Sequence, residues 1–133
     1  MQLHLPQIMR KEVIQGENVP NSHLPFSAGV KCGQFLFISG QASVDLEGKI
    51  ISGTFEEECR RSFDNLKNIV NAAGLEMSDV VQVRNYVAED KDLTTFNSIY
   101  REYFSAPFPA RTTLVACIGS VLKFEVDAVA LFK

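Results

Sequence analysis

The hydrophobic and polar positions change period several times along the chain. Residues 34–39, Gln-Phe-Leu-Phe-Ile-Ser, form an apolar run between Gly33 and Gly40, which predicts a buried strand. From Phe55 the period changes. Phe55, Cys59, Phe63, Leu66, Ile69, Val70 and Ala73 recur at steps of three and four, the stripe of an amphipathic helix. Thr54-Phe55-Glu56-Glu57 in front of it is a capping box, and Gly74 stands where the stripe ends. Residues 80–87 are β-branched and partly alternating, so a strand is expected there. A second helical stripe follows, through Leu93, Phe96, Ile99, Tyr100, Tyr103 and Phe104. Asp92 is placed to cap it, and Pro107 and Pro109 to stop it. Two strands close the chain, over 112–118 and 122–132, separated by Gly119-Ser120.

The remaining segments are less regular. Residues 1–19 read as an irregular N-terminal segment with a short strand at 12–14, and residues 44–51 as a turn around Glu47-Gly48. One domain over 1–133 accounts for all of this. Two helices cannot cover both faces of so many strands, so the fold class is α+β, a mixed sheet with two helices packed on one face. In the last strand Phe124, Val126, Ala128 and Ala130 share one face. Glu125, Asp127, Val129 and Leu131 share the other, an apolar patch beside charges of the kind a subunit interface holds.

Composition narrows the function classes. The 133 residues carry 13 Lys+Arg against 16 Asp+Glu, a net charge of −3, which weighs against a protein that grips nucleic-acid phosphates. A chain of this mass buries about two thirds of its surface on folding, so a core needs neither disulfides nor metal. Cys32, Cys59 and Cys117 have no C-x-x-C spacing, and Cys117 reads as a core thiol in an apolar strand. His4 and His23 lack metal-ligand spacing, so no metal or cofactor is expected. With no leader pattern at the start and no apolar run long enough to span a bilayer, a cytoplasmic address without membrane partners is expected.

Phosphate-binding loops and nucleophile elbows are absent. What remains is Arg111, placed after two prolines at the head of a strand, and Glu125 with Asp127 near the end. A guanidinium on stiff backbone presents a planar fork suited to a carboxylate. The alternative is an ordinary structural pairing of Arg111 with Glu125 or Asp127.

These residues belong to a longer series. Leu24-Pro25-Phe26-Ser27, Phe37-Ile38-Ser39-Gly40-Gln41, Asp45-Leu46-Glu47-Gly48-Lys49, Asn65-Leu66-Lys67 and Asp79-Val80-Val81 are followed by Phe96-Asn97-Ser98-Ile99-Tyr100, Pro109-Ala110-Arg111-Thr112 and Glu125-Val126-Asp127-Ala128-Val129-Ala130. In order and spacing, from about residue 20 to the end, the series resembles the Rid/YjgF family, the RidA-like reactive-intermediate deaminases also called endoribonuclease L-PSP. The resemblance implies a chorismate-mutase-like fold and a homotrimer with ligand clefts at the subunit interfaces. It also implies cofactor-free hydrolysis of enamines and imines, such as 2-aminoacrylate, to 2-oxo acids and ammonia. Arg111 would then hold the substrate carboxylate and Glu125 would activate water, with Phe26, Ser39, Gly40, Asn97 and Thr113 lining the cleft.

Phe26 departs from the pattern, because the family has tyrosine there, and Leu24 stands in place of glycine. The lost phenol points to slower turnover or a more apolar substrate. It also keeps open a second function, a non-catalytic binding module for 2-oxo acids. A ribonuclease or translation inhibitor is the third reading, opposed by the net charge and by the lack of histidine near Arg111.

Overall fold

The computed structural model describes residues 10–133; His4 and the start of the chain, read above for a leader, lie outside them. The elements are β1 (Lys11–Val13), β2 (Gly29–Cys32), β3 (Phe35–Gln41), α1 (Phe55–Ala72), β4 (Val80–Val87), α2 (Leu93–Tyr103), β5 (Ala110–Val115) and β6 (Phe124–Leu131). They build one six-stranded sheet in the order β1-β2-β3-β6-β4-β5. Only β4 and β5 run parallel, and α2 forms their crossover. The sheet is therefore mixed, with two helices on one face as expected.

The first helix begins and ends as its sequence dictates. The Thr54 hydroxyl accepts from the Glu57 amide at 3.1 Å and the Glu57 carboxylate accepts from the Thr54 amide at 2.8 Å. At the other end Gly74 takes φ +81°. Its amide donates to Asn71 and that of Leu75 to Val70, which closes a Schellman motif. Between these caps Phe63, Leu66, Ile69 and Val70 pack on Leu36, Val83, Phe124 and Val126 of the sheet, and Phe96 and Ile99 of α2 complete the core.

Four expectations are corrected. Asp92 does not cap α2 with its side chain; residues Asp90–Asp92 form a 3₁₀ turn that leads into the helix instead. The prolines do not end α2, which stops at Tyr103 when Phe104 turns extended. The strand expected over 112–118 starts earlier and ends at Val115, because Ala116 takes φ +63° and turns the chain out of the sheet. Cys117 is consequently exposed and is not a core thiol; Cys59 is the buried one, and burial pushes its thiol well above the usual range. Strand β2 is an addition. It has only four residues and forms a hairpin with β3 across Gly33-Gln34, where Gly33 takes the φ of +62° that such a tight turn needs.

Among the described residues, the second sheet face carries no helix. Val13, Phe35, Phe37, Leu114 and Leu131 stand on it, between 39% and 50% exposed. The register lines up Val13, Val30, Phe37 and Val129 in one row and Cys32, Phe35 and Leu131 in the next.

Candidate active site

Arg111 sits on the edge strand β5, in register with Val83, whose side chain is in the core. It therefore rises on the helix side of the sheet, over α2. Its guanidinium carbon lies 4.8 Å from the Tyr100 ring centre and 5.2 Å from that of Phe96. Nη1 donates to the Asn97 carboxamide oxygen at 2.8 Å. No carboxylate among the described residues pairs with Arg111, so the structural pairing with Glu125 or Asp127 does not occur. Aromatic faces and one amide fix the fork and leave its charge unneutralised. Asn97, Tyr100, Arg101, Phe108 and Pro109 surround it in an open cavity of about 230 Å³.

Glu125 belongs to the opposite face. It is in register with Tyr86, one step out of phase with the core residues Phe124 and Val126. Its carboxylate lies against Gly40, where a β-bulge interrupts the pairing of β3 with β6. A Cβ built on Gly40 would stand 3.0 Å from Glu125 Cδ and collide with the nearer carboxylate oxygen. Glycine at 40 is thus what lets the carboxylate lie along the strand. Gly40→Ala is expected to displace it and lower kcat about tenfold or more, with less effect on ligand affinity. Steady-state kinetics beside calorimetric titration would check this.

Burial of Glu125 raises its pKa above the usual carboxylate range, and the neighbouring charge of Asp127 raises it further. Asp127 is the partnered acid: it accepts from Arg84 Nε at 2.8 Å and from the Tyr86 hydroxyl at 2.7 Å. The surroundings of Glu125 therefore favour its neutral form more than water would.

The other expected site residues divide between the two faces. Phe26 is exposed on the segment that runs past Gly40. That segment is anchored by the Asn21 amide to Leu46 O at 2.8 Å and by the Ser39 hydroxyl to Ser27 O at 2.5 Å. Ser39 thus spends its hydroxyl on backbone. The turn at residues 45–49 supports the same segment: Asp45 accepts from the amides of Glu47 and Lys49, both at 2.9 Å, and Gly48 packs on Ser22. Thr113 faces the helix layer in register with Asn85, and its hydroxyl finds no partner among the described residues.

Arg111 with Asn97, and Glu125 with Gly40 and Phe26, are therefore two candidate half-sites on opposite faces of one sheet. Sequence reasoning missed Phe96 and Tyr100 as the platform under Arg111, because their helical spacing reads as core. Arg84 and Tyr86 were missed as the partners of Asp127. Their alternation with Val83, Asn85 and Val87 was the available signal. Among the described residues no cluster of His, Cys, Asp or Glu is arranged to hold a metal, and no helix is long and apolar enough to cross a membrane.

A mixed six-stranded sheet with two helices on one face, Arg111 over the helices and Glu125 on the open face, defines a class of small α+β domains. The chain matches the family described as endoribonuclease L-PSP over residues 16–132. It is 37% identical to a RutC family protein of Pyrococcus horikoshii, over 90% of this chain and 97% of that one. With a 2-iminobutanoate/2-iminopropanoate deaminase of Homo sapiens it shares 33% identity over 91% of this chain and 90% of that one. The structure of Escherichia coli TdcF with bound serine superposes with a TM-score of 0.82 at 29% identity, covering 92% and 99% of the two chains. The protein belongs to the endoribonuclease L-PSP family, the Rid/YjgF proteins, and has their fold.

Proposed function

We propose that the protein hydrolyses reactive 2-imino acids and their enamine tautomers, of the 2-aminoacrylate type, to 2-oxo acids and ammonia. The observation that carries this reading is the unneutralised Arg111 fork, preset by Asn97 and the two aromatic faces. It would take the substrate carboxylate and orient the C=N bond. Glu125 would accept a proton from water as the oxygen adds to the imine carbon. It would return that proton to nitrogen to give the carbinolamine. It would then carry the hydroxyl proton to the amino group as the C–N bond breaks and the C=O bond forms, so that ammonia leaves. Deaminases among the relatives, and serine bound to TdcF, favour a small amino-acid-derived ligand.

The two half-sites need a second copy. Arg111 of one subunit would meet Glu125 of its neighbour in a homotrimer whose subunits bury the open sheet faces. The exposed side chains of two adjacent rows, Val13 with Phe37 and Phe35 with Leu131, favour such burial. Complementation tests it. Arg111→Ala and Glu125→Gln chains, each inactive alone, should regain activity when refolded together, since random mixing leaves about a quarter of the interfaces intact. If the mixture stays inactive although sedimentation shows mixed oligomers, the shared site is wrong.

One observation favours a second reading. Phe26 brings no hydroxyl to the Glu125 half-site and the Ser39 hydroxyl is engaged, so binding of 2-oxo acids without turnover is the alternative. Saturable binding with no acceleration of imine decay would select it.

A further inference from the structure

We propose that the substrate class of this protein is 2-imino acids with a branched aliphatic or aromatic side chain, received in the cavity beside Gly40; this rests on the hydrolase reading above. That cavity, about 170 Å³, is walled by Pro20, Leu24, Phe26, Ala28, Ala42 and Val44. Among the described residues, none with a charge lines it. Its two polar side chains are uncharged and each makes one bond to backbone: Ser22 Oγ accepts from the Leu24 amide at 3.1 Å and Gln41 Nε2 donates to Ser39 O at 3.0 Å. A charged substrate side chain would lose its hydration there and gain no ion-pair partner.

The cavity adjoins the chemistry. Gly40 is both part of its wall and the residue against which the Glu125 carboxylate lies. A substrate whose imine carbon faces Glu125 therefore has the cavity within reach of its side chain. Leu24 and Phe26 are 55% and 52% exposed, on a segment that backbone hydrogen bonds hold in place. Large apolar side chains kept in water at a concave wall gain by burial when an apolar group arrives. A methyl group, as in the alanine-derived imine, would leave most of that wall wet.

The test generates imines in place with an amino-acid oxidase acting on leucine, phenylalanine, alanine or glutamate, and follows imine decay with and without the protein. The same protein is titrated by calorimetry with 4-methyl-2-oxopentanoate and with pyruvate. The expected kcat/KM for the leucine-derived imine is at least about tenfold above that for the alanine-derived one, with the glutamate-derived imine slowest. Phe26→Ser, at an exposed position, should drive the leucine-to-alanine ratio toward one. Equal or reversed ranking in both turnover and binding overturns the substrate class. So does a ratio that Phe26→Ser leaves unchanged. Tighter binding of 4-methyl-2-oxopentanoate without turnover of any imine would overturn the hydrolase reading and leave the ligand class standing.

Discussion

Arg111→Ala is expected to weaken binding of 2-oxo acids such as pyruvate by about a hundredfold or more, with the fold intact. Two parallel charge-assisted hydrogen bonds would be lost at once, and no second cation takes their place. Arg101 lines the same cavity, but its Nη1 is turned back to the Asn97 carbonyl, at 3.4 Å. The fold should survive because the arginine is exposed on an edge strand and forms no ion pair among the described residues. Arg111→Lys would keep the charge and lose the fork, so an intermediate loss is expected. Calorimetric titration checks both variants beside a thermal melt. Unchanged affinity in Arg111→Ala would remove the arginine from the site.

The second large effect concerns Glu125. Glu125→Gln keeps the shape of the side chain and should retain ligand affinity, while turnover drops by about two to four orders of magnitude. A wild-type kcat in an ammonia-release assay would end the case for Glu125 as the water-activating group. Its pH dependence follows from its surroundings. The groups that face it are Asp127 on its own strand and Tyr86 and Arg84 on β4; the β3 side brings only Phe37, Ser39 and Gly40, and β5 brings Thr112 and Leu114.

Burial and the charge of Asp127 both disfavour the ionised form, so the pKa of Glu125 is raised. Glu125 is active as a base only when ionised. Activity should therefore appear as pH rises through this raised value, with the acid limb above the usual carboxylate range. Asp127→Asn removes the neighbouring charge and leaves the burial. Its acid limb should move down without reaching the ordinary position, and kcat–pH profiles of the two proteins would show it. An unmoved limb would mean that Asp127 only holds Arg84 and Tyr86.

The sequence carried much of this arrangement. Thr54 to Gly74 could be read as a helix with both ends because caps and stripe are local, each set within a few residues by backbone hydrogen bonding. Glu125 could be placed on the open face because it alternates with Phe124 and Val126, which any packing of that strand must bury. Short or edge elements were less legible. Strand β2 is only Gly-Val-Lys-Cys, too short for a period to show. In β5 nearly every residue is exposed, so no alternation marks which way Arg111 points.

By itself, then, the sequence determined the two helices and most of the strands, the single covered face and the candidate pair Arg111 and Glu125. Only the tertiary structure decided that the pair is divided. The face of Arg111 depends on its register with Val83 and that of Glu125 on its register with Tyr86, pairings between segments far apart in the chain. Period-two alternation assigns residues to the two sides of one strand. Which side meets the helices is settled by the pairing of strands and by what packs over them. The same long-range packing placed Phe96 and Tyr100 beneath the guanidinium, and Arg84 and Tyr86 around Asp127.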